Sequence, residues 1–235
     1  MSLCVIPARG GSKRIARKNG REFCGKPMIA WSIDAALRSG CFDTVVVSTD
    51  DDEIAHIAKE NGAEVPFRRS AELADDQTPT VPVIADAIKQ LSGKYSSLND
   101  RTPICCLYAT APFVAATDLC SGLELLGGSD APYVIGVTTY AFPIQRALRY
   151  DPSIGVEMLD PSKMHVRSQD LEEAWHDAGQ FYWGRAGVWS SGLGLFSHGV
   201  QAVQIPRHRV QDIDTEEDWH RAELMMQAMI NRGPA

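Results

Sequence analysis

The stretch that decides the fold is LCVIPARGGSKRIARKN, residues 3–19. Its first four residues are apolar and do not alternate with polar ones, which predicts a buried strand of a parallel sheet. A loop with Gly10 and Gly11 follows at once. Ligands of open α/β sheets bind at the carboxyl ends of strands, where glycine lets backbone amides approach phosphate oxygens and Ser12 could add a hydroxyl donor. The stretch therefore predicts a phosphate-binding loop on an α/β sheet.

Positive charge is concentrated in this loop. Six basic residues and no acidic residue lie between positions 9 and 21, although the whole chain has 23 basic and 30 acidic residues. These six are Arg9, Lys13, Arg14, Arg17, Lys18 and Arg21. A basic turn that simply faces water would also explain such a run. The glycine pair directly after a strand favours a bound anion instead, and a compact triphosphate meets that need.

Residues 20–26, GREFCGK, have the glycine and lysine spacing of a Walker A loop. Pro27 stands where that motif needs Ser or Thr for the metal, and the segment follows a polar loop rather than a strand. We therefore reject the Walker interpretation. The segment instead predicts the entrance to a helix that has Pro27 at its first position.

Residues 6–19 resemble the I-P-A-R-x-G-S-K-x-x-x-x-K-N signature of the acylneuraminate cytidylyltransferase family. The resemblance implies a Rossmann-like nucleotide-diphospho-sugar transferase fold, in which a mostly parallel α/β sheet lies between helices. It also implies an enzyme that joins CTP to a nine-carbon 2-keto sugar acid, with Arg9 and Lys18 as catalytic residues. The nucleotide-binding residues that it implies in this loop are Arg9, Gly10, Gly11, Ser12, Lys13, Lys18 and Asn19.

Length and composition limit the function classes. A chain of 235 residues with 44% apolar composition suits a single domain, residues 1–235. We expect a cytoplasmic protein without a membrane segment, because no apolar run approaches the roughly 20 residues that a membrane span needs and the start is too short for a signal peptide. A net charge of −7 argues against general nucleic-acid binding. The six cysteines lack the C-x-x-C spacing of a zinc site.

Hydrophobic patterns predict helices and strands in alternation along the chain. Helices are predicted at about 27–38, 49–62, 80–91 and 117–126, with a last one ending near residue 230. Buried strands are predicted at 3–6, 44–48, 103–108 and 133–137, and an edge strand at 201–206. The acidic run at 50–53 is explained by a helix cap and the helix dipole rather than by a metal.

Residues 68–76 resemble a second family segment, R-P-x-E-L-A-x-D, with Arg69 on its arginine and Ser70 in place of its proline. In the family this arginine belongs to the nucleotide site, so the resemblance implies the same for Arg69. Taken alone, Arg69 would more often be a surface charge. Thr80, at the start of the next predicted helix, completes the predicted nucleotide-binding set.

The pattern degrades over about 140–175, and a stretch of this length without clear elements usually serves a function or an interface. The resemblance implies that this insertion forms a homodimer contact and helps to bind the sugar. The following run, 176–184, resembles the branch of the family that uses pseudaminic acid. Arg167 is the candidate for holding the sugar carboxylate, Gln180 for an amide and Tyr182 for an apolar face. Strand alternation allows only some of the aromatics at 181–183 to face a cleft.

Asp212 and Asp214 lie two apart in an extended segment, which puts both carboxylates on one side, about 7 Å apart at Cα. They could share one Mg²⁺, which prefers one or two carboxylates plus phosphate oxygens. A helix cap competes with this interpretation, since Thr215 and Asp218 have capping-box spacing. The resemblance to the family's D-I-D-x-x-x-D-W decides for the metal, and Asp212 joins the catalytic set.

The resemblance implies that the anomeric hydroxyl of the sugar acid attacks the α-phosphate of CTP and expels pyrophosphate. Positioning and charge neutralisation do most of the work in such chemistry. The alternatives are a CMP-sialic or CMP-legionaminic acid synthetase, and a non-catalytic sugar-nucleotide binding protein of the same fold. The general base, the number of metal ions and any contribution of a partner subunit stay open at this stage.

Overall fold

The computed structural model describes residues 1–75 and 77–232. Within these ranges the chain alternates between strands and helices, as the hydrophobic pattern predicts. The strands are β1 (Leu3–Pro7), β2 (Glu22–Phe23), β3 (Lys26–Pro27), β4 (Thr44–Ser48), β5 (Pro103–Leu107), β6 (Tyr133–Thr139), β7 (Leu148–Asp151), β8 (Gly155–Met158), β9 (Trp175–Arg185) and β10 (Gln201–Gln204). The helices are α1 (Met28–Ser39), α2 (Asp52–Glu60), α3 (Thr80–Ser92), α4 (Ala116–Gly127), α5 (Ala186–Ser190) and α6 (Glu216–Arg232).

Six strands form the central sheet in the order β10-β6-β9-β5-β1-β4. Neighbouring pairs are parallel, except that β9 runs antiparallel to both β5 and β6. The predicted α/β class with a mostly parallel sheet is confirmed, and so is the edge position of β10. Because β1 lies beside β4 and β5, the loops after these three strands share one edge of the sheet.

Helices cover both faces of the sheet. One core packs α1, α2 and α4 against the sheet, and the second packs α3 and α5 against the opposite face. The aromatics of β9 are divided between these cores as strand alternation requires. Phe181 and Trp183 enter the first core, and Tyr182 enters the second.

The start of α1 and the insertion differ from the predictions in detail. Pro27 is the residue before α1 rather than its first residue, because it pairs in the small antiparallel hairpin of β2 and β3 that the sequence pattern missed. Gly40 ends α1 in the left-handed region at φ 66°, as its position predicts. Within 140–175 the chain forms no α-helix but contains the β7–β8 hairpin. No helix in the described residues is long and apolar enough to cross a membrane.

Candidate functional site

Two buried isoleucines join the basic loop to the segment before α6. Ile15 lies in the loop at 0% exposure, and Ile213 lies between the two aspartates at 1%. Both belong to one hydrophobic cluster with Phe23 and Trp219, whose rings meet edge to face with centroids 5.3 Å apart. Burial of these apolar side chains holds the amino-terminal loop against the carboxyl-terminal segment.

The charged neighbours of these isoleucines meet at the surface. Lys18 Nζ donates to the Ile213 carbonyl at 2.7 Å across 195 residues of chain, and it lies 3.2 Å from Asp214 Oδ1. Arg14 Nη2 lies 2.8 Å from Asp214 Oδ2. These groups border a cavity of about 340 Å³. Its lining residues are Arg9, Ser12, Lys13, Arg14, Lys18, Asn19 and Asp214. The structure therefore brings most of the predicted nucleotide-binding loop together with one predicted metal ligand.

The loop is held by a hydrogen bond to a residue that follows β4 and by one within the loop itself. The Gly10 amide donates to Asp50 Oδ1 at 3.0 Å, and Asn19 Nδ2 donates to the Arg9 carbonyl at 2.9 Å. A Cβ on Gly10 would lie 2.5 Å from a carboxylate oxygen of Asp51, so this close approach requires glycine, whereas a Cβ on Gly11 would meet nothing within 4 Å. Gly10 thus shapes the loop, and Gly11 is the glycine with open space around it.

Asp212 is exposed and lies close enough to Lys18, Arg14 and Asp214 for their charges to act on its carboxyl. The neighbouring protein removes part of the hydration of its carboxyl and thereby raises its pKa. The negative charge of Asp214 acts in the same direction, while the positive charges of Lys18 and Arg14 oppose it. The positive charges of Lys18 and Arg14, which contact Asp214, therefore also act on the Asp212 carboxyl. The two carboxylates form one electrostatic unit with the basic loop.

The side chains that make the helix cap, which competes with the metal interpretation, are those of Thr215 and Asp218, and Asp214 contributes only its backbone amide. The Asp218 amide donates to Thr215 Oγ1 at 3.2 Å, and the Thr215 amide donates to Asp218 Oδ2 at 2.9 Å. The Asp214 carboxylate faces Lys18 and Arg14 instead. No cluster of three or more potential metal-ligating side chains occurs among residues 1–75 and 77–232. A pair of carboxylates without a third protein ligand fits Mg²⁺ that takes its remaining ligands from phosphates and water.

Arg69 is buried next to the end of β4, close to the basic loop. Its side chain is buried, its Nε donates to Ser48 Oγ at 3.2 Å, and its Nη2 donates to the Ser48 carbonyl. Burial lowers the pKa of this guanidinium, and the nearby Asp50 carboxylate opposes that shift. Asp50 in turn accepts from the Gly10 amide. Arg69 thus holds the end of β4 through Ser48, and it lies near the Asp50 carboxylate that accepts from the loop.

Thr80 and Tyr182 line a second cavity, of about 610 Å³. Thr80 Oγ1 lies 2.7 Å from the Tyr108 hydroxyl, and the Tyr182 hydroxyl donates to Asp177 Oδ2 at 2.5 Å. The other walls are mostly apolar and include Val81, Pro82, Ala85, Leu195 and Phe196. The structure separates Thr80 from the basic cavity and groups it with Tyr182. Because Tyr108 follows β5 and Arg9 follows β1, both cavities lie at the same edge of the sheet.

Gln180 and Arg167 line neither of these cavities. Gln180 is 3% exposed, and its Nε2 donates to the Arg209 carbonyl at 2.5 Å, so it holds the chain that leads to Asp212. Arg167 is exposed in the insertion and pairs with Asp170 at 2.8 Å. The residue types predict that both side chains can bind a sugar. They do not predict that Gln180 is buried or that Arg167 lies away from both cavities.

Sequence reasoning missed the roles of Asp50 and Asp177. A carboxylate two residues after a buried strand is a usable signal for Asp50, whereas the sequence pattern explains the whole acidic run by a helix cap. The cap itself is Asp51, whose Oδ1 accepts from the Glu53 amide at 2.9 Å. Asp177 gave no signal, because its contact with Tyr182 depends on the turn at Gly179, which has φ 62°.

Comparisons with known proteins show the family of the chain. The family model described as "Cytidylyltransferase" matches residues 3–188. The chain is 41% identical over 224 residues to the pseudaminic acid cytidylyltransferase of Campylobacter jejuni, covering 95% of both chains. It is 49% identical over 86 residues, 37% of each chain, to the CMP-N,N'-diacetyllegionaminic acid synthase of Legionella pneumophila.

The fold also matches a solved structure. The structure of CMP:2-keto-3-deoxy-manno-octonic acid synthetase complexed with CTP has a TM-score of 0.69 to this chain at 18% identity, covering 97% of this chain and 100% of the other. This likeness shows the fold, and the match of the family model over most of the chain, with the 41% identity to the Campylobacter jejuni enzyme, shows the family. The chain belongs to the cytidylyltransferase family.

Proposed function

We propose that this chain is a pseudaminic acid cytidylyltransferase, which transfers CMP from CTP to the anomeric hydroxyl of a nine-carbon 2-keto sugar acid. The contact of Lys18 and Arg14 with Asp214 carries the proposal on the structural side, because it joins a triphosphate-sized basic cavity to a carboxylate pair. The similarity to the Campylobacter jejuni enzyme, over 95% of both chains, supports the choice of sugar.

In the proposed reaction the sugar hydroxyl oxygen forms a bond to the α-phosphorus of CTP. The bond between that phosphorus and the bridging oxygen breaks, pyrophosphate leaves and the hydroxyl proton passes to a base or to water. Arg9, Lys13 and Lys18 neutralise charge on the leaving pyrophosphate from the cavity wall. Ser12 adds a hydroxyl donor, and Asn19 fixes the loop through the Arg9 carbonyl.

Asp212 and Asp214 are the proposed ligands of Mg²⁺. The ion would supply charge neutralisation on the triphosphate. These residues have what such a site needs, since their carboxylates act on each other beside the basic loop and the Asp214 carboxylate is not used by the helix cap, to which Asp214 contributes only its backbone amide. The six unpaired thiols of the chain and the use of CTP favour the cytoplasm as the working compartment.

The second cavity is the proposed site for the sugar. A deoxygenated acid that bears a methyl group and two acylamido groups presents apolar faces, which the walls at Val81, Leu195 and Phe196 could cover. The hydroxyl groups of Tyr182 and Thr80 add polar atoms to the lining of this cavity. Arg167 lies outside this cavity in its own chain, so we propose that it acts on the sugar carboxylate of a partner subunit.

A homodimer is proposed because the insertion exposes an apolar face. Leu148, Tyr150 and Val156 of the β7–β8 hairpin are 60%, 70% and 63% exposed. Tyr150 pairs with Val156 across the hairpin, and Leu148 lies two residues from Tyr150, so all three share one face. Exposed apolar patches of this kind mark protein interfaces. A second copy of this chain is the proposed occupant.

Val156→Asp is expected to convert the dimer to a monomer, because a charge would be buried in the apolar interface. Light scattering coupled to size-exclusion chromatography measures the mass. The matched control is Glu157→Gln on the opposite face of the hairpin, where Glu157 pairs with Arg149 at 3.4 Å, and it should leave the mass unchanged. A wild-type chain that runs as a monomer at micromolar concentration would contradict the proposal.

The proposed function is tested by mixing the protein with Mg²⁺, CTP and each of three acids: pseudaminic, legionaminic and N-acetylneuraminic acid. We expect CMP-linked product and pyrophosphate with pseudaminic acid at a kcat/KM at least tenfold above the other two. Replacing CTP with UTP or GTP should abolish product. A higher kcat/KM with legionaminic acid would favour the alternative that the partial likeness to the Legionella pneumophila enzyme suggests. No product with any acid would favour a non-catalytic binding protein.

A further inference from the structure

Arg209 and Asp118 form a largely buried ion pair that the proposed reaction does not use directly. Arg209 donates from two nitrogens to the two oxygens of Asp118, from Nη1 to Oδ2 and from Nη2 to Oδ1, the latter at 3.1 Å. The two side chains are 17% and 10% exposed. Removing both charges from water offsets much of their attraction, whereas the two parallel hydrogen bonds fix the guanidinium in direction and rotation. The main effect of the pair is therefore to fix the position of Arg209.

Asp118 is a rigid partner because it belongs to the first turn of α4. The Ala115 amide donates to Asp118 Oδ2 at 3.2 Å, and the Asp118 amide donates to the Ala115 carbonyl at 3.1 Å. The next residue, Leu119, is fully buried in the core that packs α4 against the sheet. The Asp118 carboxylate thus has a fixed place in the fold before Arg209 meets it.

The backbone of Arg209 is held a second time, by β9. Gln180 Nε2 donates to the Arg209 carbonyl at 2.5 Å, and Gln180 is 3% exposed. The Tyr108 amide donates to the Gln180 carbonyl at 2.8 Å, so Gln180 lies beside the end of β5, at the edge of the sheet that carries both cavities. Arg209 is therefore fixed to α4 by its side chain and to the sheet by its carbonyl.

The chain reaches the first proposed metal ligand three residues after Arg209. Three extended residues span at most about 11 Å. The next fixed residue is Ile213, which is 1% exposed in the cluster with Ile15. Asp212 thus lies on a short segment between two anchors, Arg209 and Ile213, and Asp214 follows the second anchor. Metal ligands bind well only when they are held within about 0.5 Å of the productive geometry, so a fixed segment favours binding.

We infer that Arg209 and Asp118 are positioning residues for the proposed metal site, which hold the backbone of Asp212 so that its carboxylate can share Mg²⁺ with Asp214. The inference rests on the proposed function and adds the source of the geometry of its metal site. Residues that orient metal ligands without touching the ion commonly change metal affinity about 10- to 100-fold. The ion pair acts through three residues of backbone, so we expect the lower end of this range.

Arg209→Lys tests the inference, because lysine keeps the positive charge opposite Asp118 but cannot make two parallel hydrogen bonds to one carboxylate. Electron paramagnetic resonance measures the Kd of Mn²⁺ in the presence of CTP. We expect this Kd to rise about tenfold in Arg209→Lys and in Asp118→Asn. The double variant should bind Mn²⁺ about as weakly as either single variant, because the two residues act as one unit. Saturating Mg²⁺ should return the kcat of Arg209→Lys to within twofold of the wild-type value.

Arg185→Lys is the matched control, at the opposite end of α4. Arg185 is also half-buried, and it donates to three backbone carbonyls around the end of this helix, those of Leu126, Ser129 and Ala131. The same substitution there should also lower the melting temperature. It should leave the Kd of Mn²⁺ within twofold of the wild-type value, because Arg185 does not hold the aspartate segment.

An unchanged Kd of Mn²⁺ in both Arg209→Lys and Asp118→Asn, or an equal rise in Arg185→Lys, would overturn the inference. Formation of CMP-linked product by the wild type would then still uphold the proposed function. Absence of product from the wild type with every acid would overturn the proposed function, while the Mn²⁺ measurements, which need no sugar acid, would still decide the positioning role. A wild type that binds no Mn²⁺ in the presence of CTP would overturn the inference even if product forms.

Discussion

Replacing Asp212 with asparagine is expected to lower kcat by at least a factor of about 1,000 while the protein stays folded, since metal and charge stabilisation of this kind supplies several kcal/mol to phosphoryl transfer. The substitution removes one of the two carboxylates proposed to hold Mg²⁺. It removes no packing, because the side chain is exposed and the apolar contact of this segment is made by Ile213. Pyrophosphate release measures turnover, and thermal unfolding measures the fold.

Asp218→Asn is the matched control for this prediction. Hydrogen bonds from Thr215 lower the pKa of Asp218 below its usual range, so its charged form stabilises the fold above that range and the stabilisation is lost as the pH falls. Loss of the cap should cost about 0.5–2 kcal/mol in stability and leave kcat nearly unchanged. Electron paramagnetic resonance measures the binding of Mn²⁺ in the presence of CTP. We expect weaker binding in Asp212→Asn and unchanged binding in Asp218→Asn. Normal turnover by Asp212→Asn would contradict the metal role.

Much of the fold could be predicted from local pattern. The apolar run before Gly10 and the apolar strand at 44–48 give parallel strands of the sheet, because buried parallel strands do not alternate. The β7–β8 hairpin and the β2–β3 hairpin could not be read from the pattern. Their strands are two to four residues long, so they are too short for a periodic signal and depend on pairing across a turn.

The site also has a part that local sequence predicts and a part that depends on contacts between distant residues. The loop from Arg9 to Asn19 could be predicted because its residues are neighbours in sequence. The contact of Lys18 with Asp214 spans 196 residues, and it depends on the shared burial of Ile15 and Ile213 in one cluster with Phe23 and Trp219. Sequence shows each isoleucine but not that they enter one cluster.

The burial of polar side chains is the second feature of the site that the sequence does not predict. Arg69 and Gln180 lie at 5% and 3% exposure, where Arg69 donates to the carbonyl and the hydroxyl of Ser48 and Gln180 donates to the Arg209 carbonyl. Nothing in the residue type separates an arginine that binds a nucleotide from one that supports a strand end. The burial of Arg69 at the end of β4 predicts a larger effect on the fold than an exposed arginine would have.

The second large effect is expected at Lys18. Its ammonium group joins the basic loop to the aspartate segment and lines the cavity proposed for the triphosphate. Lys18→Met should lower kcat about 100- to 1,000-fold, which is the usual cost of removing one group that stabilises charge in the transition state. The aliphatic part of the side chain is kept, and Ile15 and Ile213 still hold the two segments together, so the melting temperature should fall by only a few degrees.

Arg21→Gln provides the control for a cation outside the cavity. Arg21 pairs with Glu216 at 2.7 Å and lies over the Trp219 ring at 4.4 Å from its centroid. An exposed ion pair and a cation–π contact each contribute about 1 kcal/mol or less, so this variant should lose a little stability and keep its kcat. Steady-state kinetics and thermal unfolding of both variants decide between the roles. The loss of kcat in Lys18→Met, converted to a free energy, is compared with its loss in free energy of unfolding. If the two losses are equal, Lys18 is a structural link between the two segments.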